Sequence, residues 1–528
     1  MGFLLYHLLD ESAGKYPERK AIVYKNDSIT YRELAQASNK LANSLAETGV
    51  NRGDRVGIYL SKSISSVVSI FGILKAGGTY VPIAPDAPPK RAEYIIRNCG
   101  IKHLLSTADK VSRLEGMFPE GCPIEKIILT DSGQTESQLA SEIISWETIK
   151  NSEGEHPPSL NVIDRDLAYI LYTSGSTGDP KGVMISHLNS LTFVNWAQDF
   201  FRINKEDRVA NHSPLHFDLS VFDIFATVKA GGTVVVIPDG AATFPVRLAE
   251  LIAREGITVW NSVPSVLILL VTHGKLERLD FSSLRLVLFA GEIFPVKYLR
   301  QLKGYIPHAD YYNQYGQTEA NSSTYYHVKE LPHNDGKIPI GKTAVNFEVF
   351  AIDENNNIIT QPGEVGELYV HGSSVARGYW GNSEKTRLAF VDNPLSNGAG
   401  EKVYRTGDLV TLDENGDYVF LCRKDNMVKS RGYRIELGEI ETAISGYQGV
   451  KAVAAVAVPD DLIGNVIKAI IVPVAPGALT VTEVERYCSE ILPRYMIPEM
   501  IEFCDSLPMT STGKIDRQAL ITPSTTST

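Results

Sequence analysis

The chain has 528 residues, 43% hydrophobic and 21% charged, with 51 Lys and Arg against 62 Asp and Glu for a formal net charge of −11. That length predicts more than one domain, and the composition is ordinary for a soluble globular enzyme. The acidic balance argues against a general nucleic-acid binder, because counterion release needs a basic face. In chain order, Arg55 to Tyr59 reads as a strand and Ser65 to Leu74 as a helix that ends near Gly77-Gly78. Leu167 to Leu171 reads as a buried strand, Thr233 to Ile237 as a strand, Pro245 to Arg254 as a helix and Thr258 to Asn261 as a strand. This βα alternation predicts an α/β fold with parallel sheets covered by helices.

From about Val349 the character changes. Short apolar runs separated by Glu354-Asn355-Asn356-Asn357 and Glu414-Asn415-Gly416-Asp417 predict hairpins and a small antiparallel module. A domain boundary is expected near Cys422 to Asn426. Beyond it, Glu436 to Ser445 reads as a helix, Val453 to Val458 and Lys468 to Val474 as strands, and Val481 to Leu492 as a helix. That is a small α+β domain of ordinary size. The expected division is 1–424, 425–521 and a Ser/Thr-rich tail at 522–528 that is expected to be disordered.

Met1 to His7 lacks the basic start of a signal peptide, and Tyr6 stands where myristoylation wants Ser or Thr. No apolar run is long enough to span a bilayer. Cys99, Cys122, Cys422, Cys488 and Cys504 have no CxxC spacing and read as buried thiols in a reducing cytoplasm, the expected location.

Chemistry concentrates first in Tyr172-Thr173-Ser174-Gly175-Ser176-Thr177-Gly178-Asp179-Pro180-Lys181-Gly182. Hydroxyls and exposed backbone N–H groups suit a phosphate chain, glycine allows close approach, and Lys181 adds a mobile positive charge. It is not a Walker A loop, since Lys181 follows Pro180 and precedes Gly182. The full string resembles the phosphate loop of the adenylate-forming superfamily, which includes acyl-CoA synthetases, luciferases and the adenylation domains of nonribosomal peptide synthetases. Further segments resemble it in order. These are Leu74 to Pro82, Asn313-Gln314-Tyr315-Gly316-Gln317-Thr318-Glu319 (YGPTE), Tyr404-Arg405-Thr406-Gly407-Asp408-Leu409 (YRTGDL), Arg423-Lys424-Asp425 with Lys429 to Glu441, and Thr512-Gly513-Lys514-Ile515-Asp516 (NGKID). The resemblance covers nearly the whole chain. Gln317 replaces the usual proline, Cys422 a glycine and Thr512 an asparagine, and none of these changes removes a charged catalytic group.

What the resemblance implies is a large ATP- and substrate-binding core and a small mobile C-terminal domain. A carboxylate attacks the α-phosphate of ATP and expels pyrophosphate, so catalysis is mostly positioning and cationic stabilisation. By that resemblance Glu319 binds Mg²⁺, Thr318 contacts the α-phosphate and Lys181 is also catalytic. Thr173, Ser174, Gly175, Ser176, Thr177 and Gly178 cradle phosphate, Tyr315 stacks on adenine, and Asn313 and Gly316 also bind the nucleotide. Asp408 accepts hydrogen bonds from the ribose hydroxyls and Arg423 assists beside it. Lys514 is the catalytic lysine of the mobile domain, and Asp425 is its hinge.

Asp218, within His216-Phe217-Asp218-Leu219-Ser220, resembles the aspartate that binds the α-ammonium of an amino-acid substrate. The remaining pocket positions carried over are Leu219, Phe222, Asn261, Leu288, Ala290, Gln314, Ser322 and Ser323. They form a mixed wall with no further acid or base apart from Lys514, which implies a small neutral amino acid. Resemblance to freestanding prolyl or aminoacyl carrier-protein ligases favours L-proline, while the polar residues favour serine, and alanine also fits. Only 14 residues follow Lys514, so the expected partner is a separate phosphopantetheinylated carrier protein in natural-product biosynthesis, such as that of an antibiotic or toxin, with the enzyme a monomer. Two other readings are an acyl-CoA ligase acting on a non-amino acid, disfavoured by Asp218, and an inactive paralogue serving as a binding subunit, disfavoured by retention of Lys181, Glu319, Asp408 and Lys514.

Overall fold

The computed structural model describes residues 2–521 except 120, 134–136, 141, 153, 155, 176–178, 333–335, 397–399, 425–426, 476, 478 and 509–514, and of Gln518 the backbone alone. The expected tail at 522–528 and the hinge residue Asp425 lie outside the described residues.

Two large sheets carry the first 343 residues. The first has seven strands in the order Glu142–Ser145, Lys126–Leu129, His103–Ser106, Arg55–Ile58, Thr79–Pro82, Leu167–Thr173 and Lys181–Ser186. The second has nine, running from Lys342–Thr343 through Asn321–His327, Asp310–Gln317, Leu286–Ala290, Val259–Ser262, Arg208–Asn211, Thr233–Val236 and Lys20–Tyr24 to Asp27–Thr30. The interiors of both sheets are parallel, as the βα alternation predicts. At the margins Lys181–Ser186, Asn321–His327 and Asp27–Thr30 instead pair antiparallel through short connections that need no crossover helix, while the edge strand Glu142–Ser145 stays parallel.

Strand Leu286–Ala290 shows why the sheets are buried on both faces. Leu286 and Leu288 join the core between the two sheets, while Val287 and Phe289 pack with Trp260 and Tyr311 under outer helices. The helix Pro245–Arg254 matches the expected span, with proline at its first position, where no N–H is needed.

After residue 347 a five-stranded antiparallel sheet forms from Glu348–Ile352, Val365–His371, Lys402–Leu412, Phe390–Asp392 and Tyr418–Arg423. The remainder begins with a hairpin, Met427–Ser430 and Tyr433–Glu436. It continues with helix Leu437–Ser445, strands Val450–Asp460 and Gly464–Pro473, helix Val481–Ile491 and strand Met500–Phe503. Its core of Ile435, Ile440, Ile467, Ala469, Val484 and Met496 is separate from the cores of the large sheets. Cys99 and Cys488 are buried, but Cys422 is exposed and Cys122 and Cys504 are half-buried, so the expectation of five buried thiols holds for two. Among the described residues no helix is long and apolar enough to cross a membrane.

Candidate active site

The loop rich in glycine and hydroxyls is the tip of an antiparallel hairpin. Thr173 pairs with Lys181 and Tyr172 with Gly182, so the returning strand brings the lysine back beside the first hydroxyl. At Gly175 a Cβ would lie 2.0 Å from the Asp179 carbonyl oxygen, so only glycine fits this fold of the loop. Ser174 Oγ donates to the Arg434 carbonyl (2.7 Å) and the Gly175 N–H to Glu439 Oε2 (3.0 Å). Ser176, Thr177 and Gly178 lie outside the described residues.

Glu319 is fully buried at the centre of a charged cluster. Arg434 spans both of its oxygens at 2.9 and 2.8 Å, Tyr379 donates its hydroxyl at 2.7 Å, and Lys181 Nζ stands 3.6 Å away. Burial pushes the Glu319 carboxyl up, but Arg434 and Lys181 outweigh it and hold the group at about 2. Burial and the neighbouring Arg434 push the Lys181 ammonium down to about 8, against the pull of Glu319. The Lys181 ammonium also lies over the Tyr379 ring, 4.8 Å from its centre.

A second cluster forms around Asp408, whose side chain is nearly buried. Its Oδ1 accepts from Arg423 at 2.7 Å, and its Oδ2 accepts from the Tyr315 hydroxyl and from Gln317 Nε2. Gln317 Nε2 also donates to the Tyr315 oxygen at 2.6 Å. The glutamine that stands where proline is usual therefore ties the expected adenine and ribose residues together. Asn313 donates to the Pro339 carbonyl at 2.8 Å. Asn313, Gln314, Tyr315, Asp408 and Arg423 line one cavity.

The adjoining cleft is lined by Thr173, Ser174, Asp218, Leu219, Ala290, Gly316, Thr318 and Ser322, closed by Lys429, Gly432 and Arg434. Thr318 Oγ1 donates to Asp218 Oδ2 at 3.0 Å, which links the expected phosphate contact to the expected ammonium contact. Burial pushes the Asp218 carboxyl up, and Thr318 and Lys429 pull it partly back. Phe222, Asn261, Leu288 and Ser323 lie deeper and are all but inaccessible. Phe222 opens a single π-helical turn, Phe222–Ala226, a form common at functional sites.

Sequence reasoning missed Arg434, Tyr379, Glu292 and the bridging role of Gln317. Arg434 stands in the Lys429 to Glu441 string, which reads only as part of the hinge and the start of the C-terminal domain and gives Arg434 no role. The structure instead turns that hairpin onto the cleft. Glu292 Oε1 accepts from the Gly432 N–H, and Glu439 pairs with Arg91 at 2.6 Å. Phe217 meets Tyr433 edge-on, and Tyr433 stacks on Tyr495 at 3.8 Å. Lys514 lies outside the described residues. Its neighbour Ile515 packs beside Ala454, Val456 and Ile470, and Arg517 pairs with Glu441 at 2.6 Å.

Residues 9–380 match the AMP-binding enzyme family and residues 439–514 the AMP-binding enzyme C-terminal domain. An L-proline--[L-prolyl-carrier protein] ligase from Pseudomonas fluorescens is 35% identical over 518 residues, 98% of this chain and 98% of that protein. Tyrocidine synthase 3 from Brevibacillus parabrevis is 35% identical over 522 residues, 98% of this chain but 8% of that protein. Among solved structures, the crystal structure of IdnL1 superposes with a TM-score of 0.80 at 28% identity, covering 96% of this chain and 98% of that one.

Proposed function

The chain belongs to the AMP-binding enzyme family and is an ATP-dependent, AMP-forming ligase; on that premise we propose that it activates a small neutral amino acid as the aminoacyl adenylate and then passes the aminoacyl group to a carrier-protein thiol. The observation that carries the amino-acid reading is Asp218, a carboxylate lining the cleft whose burial raises its proton affinity. A substrate ammonium beside it would offset that burial cost, whereas an acid without the amino group would leave the carboxylate unpaired. The relative from Pseudomonas fluorescens, named as a prolyl-carrier protein ligase, supports transfer to a carrier and keeps proline among the candidates with serine and alanine.

In this reading the amino-acid carboxylate attacks the α-phosphorus, and the bond to the pyrophosphate leaving group breaks. Thr318, bound to Asp218, places substrate and α-phosphate side by side. Lys181 and the phosphate loop hold the polyphosphate, Asp408 and Arg423 hold the ribose, and Lys514 reaches the reacting oxygens. Glu319 fits a magnesium ion as a carboxylate of the kind a magnesium–nucleotide takes, with Lys181 beside it favouring its ionised form. Bound there, magnesium would neutralise phosphate charge. Arg434 spans both Glu319 oxygens in the structure. Metal–nucleotide binding therefore asks the Tyr433–Glu436 strand to withdraw. This supports a C-terminal unit, from about residue 425, that docks in more than one way on a core of residues 1–424.

The test is amino-acid-dependent ATP–pyrophosphate exchange, followed by carrier loading read by mass spectrometry. Exchange with an amino acid and a mass gain on a phosphopantetheinylated carrier are expected. Exchange driven only by carboxylic acids lacking an amino group would select the acyl-CoA ligase reading. No exchange at all would select the inactive paralogue.

A further inference from the structure

Asn261, Gln314 and Ser323 stand on the strands Val259–Ser262, Asp310–Gln317 and Asn321–His327 of the nine-stranded sheet. Between the first two runs Leu286–Ala290, where Leu288 pairs with Asn261 and Ala290 with Gln314. That pairing puts Asn261 and Gln314 on one face, the face on which Leu288 joins Phe222 in the core between the sheets, and Ser323 is the extra residue of a bulge beside them, between Ser322, which pairs with Gly316, and Thr324, which pairs with Tyr315. Ala290 is the small residue of that row and also lines the cleft beside Asp218, so the row opens toward the substrate there.

Each of the three polar residues is at least nine-tenths buried. Each presents a polar atom with no hydrogen-bond partner among the described residues, namely Asn261 Oδ1, Gln314 Oε1 and Ser323 Oγ. The orientation of Asn261 follows from its other end, because its Nδ2 donates to Asp223 Oδ1 at 3.1 Å. The atom left over is therefore an acceptor. A buried polar atom without a partner costs about 1–3 kcal/mol, so three in one patch call for a ligand that satisfies them.

We propose that the side chain of the activated amino acid carries a neutral hydrogen-bond donor, a hydroxyl or a carboxamide, that fills the acceptors beside Ala290. This rests on the amino-acid-activation reading and selects within it. Proline or alanine would bring no side-chain donor and leave the acceptors unpaired. A cationic side chain would lack an available anion, since Asp223 Oδ1 is taken by Asn261 and its Oδ2 by Asn211 at 3.2 Å. Burial also pushes the Asp223 carboxyl up to about 7, so its charge is weakened near neutrality. An anionic side chain would set its charge against the carbonyl oxygens of Asn261 and Gln314, with only the Ser323 hydroxyl of the three able to donate to it.

The experiment measures kcat/KM in ATP–pyrophosphate exchange over all twenty common amino acids. The best substrate is expected among serine, threonine, asparagine and glutamine. It should exceed its counterpart without the donor (alanine, valine, leucine or methionine) by roughly 10²-fold or more, since a site built to bind a polar group strongly rejects the analogue lacking it. Ser323→Ala and Gln314→Met should each narrow that ratio by roughly 10-fold, with an unchanged circular-dichroism spectrum as the check on folding. A best substrate that is apolar or charged, or an unchanged ratio in both variants, overturns this inference and leaves amino-acid activation standing. No exchange with any amino acid overturns both.

Discussion

Arg434→Ala removes the cation that spans Glu319, and the structure gives the size of the effect. The arginine side chain is 14% exposed and the glutamate 0%. Removing one member of such a buried pair costs about 3–5 kcal/mol, because the other charge is left behind. Lys181 at 3.6 Å and Tyr379 at 2.7 Å remain on the carboxylate, which places the loss near the lower limit, about 3 kcal/mol. The loss falls on docking of the hairpin rather than on global unfolding, since Arg434 and Glu319 belong to different packed units. Hydrogen–deuterium exchange reads it directly at two amides that donate across that contact, Gly175 to Glu439 and Gly432 to Glu292. A loss of about 3 kcal/mol raises their exchange roughly 10²-fold if local opening governs it. Magnesium–ATP should shrink the difference between variant and parent, because it separates Glu319 from Arg434 in the parent and so leaves both proteins without that contact. Unchanged protection of Gly175 and Gly432 in the variant, or a difference that magnesium–ATP leaves intact, would refute the claim that Arg434 and the metal–nucleotide compete for one carboxylate.

Other variants address the remaining groups. Lys514→Ala should lower exchange by about 10²-fold or more with the melting temperature unchanged, as expected for a charge that acts mainly in the transition state. Asp425→Pro should spare exchange and sharply reduce carrier loading, because proline restricts the backbone where the C-terminal unit is proposed to swing; equal loss of both half-reactions would point to misfolding. Lys181 is held at about 8 rather than 10.5, so its charge is present below that value and lost as pH rises through it. ATP affinity measured by calorimetry without magnesium should therefore weaken above about pH 8, and Lys181→Met should flatten that slope.

The layered core was legible because its residues obey simple periodicities. Leu286–Ala290 is a short continuous apolar run, as a strand buried on both faces must be, and Pro245–Arg254 carries both its proline start and its amphipathic stripe. The hairpin of Met427–Ser430 and Tyr433–Glu436 was not legible as a wall of the cleft. Its strands, Met427-Val428-Lys429-Ser430 and Tyr433-Arg434-Ile435-Glu436, are too short to show a period, and Arg434 is held at the cleft by an ion pair that long-range folding brings together. Glu319 and Asp408 were found from their motifs, as were Lys181 and Arg423 beside them, but Arg434 and Tyr379 on Glu319 were not. Gln317 looked like a mere departure from pattern until its amide was seen on Asp408. The unsatisfied acceptors of Asn261 and Gln314 depend on which face each strand turns inward, a property of register that composition does not carry.

The central claim is that Asp218 recognises an α-ammonium in the cleft where ATP is attacked. Its most direct test is pyrophosphate exchange with the best amino acid beside the same molecule lacking only the α-amino group, in the parent enzyme and in Asp218→Ala. The account predicts strong exchange for the amino acid in the parent and a fall of roughly 10²-fold or more for the deaminated analogue, the scale of losing a charge-assisted contact to a buried partner. In Asp218→Ala the amino acid should fall to the level of the analogue while ATP still binds. Equal exchange with both compounds in the parent, or full activity in Asp218→Ala, would contradict it.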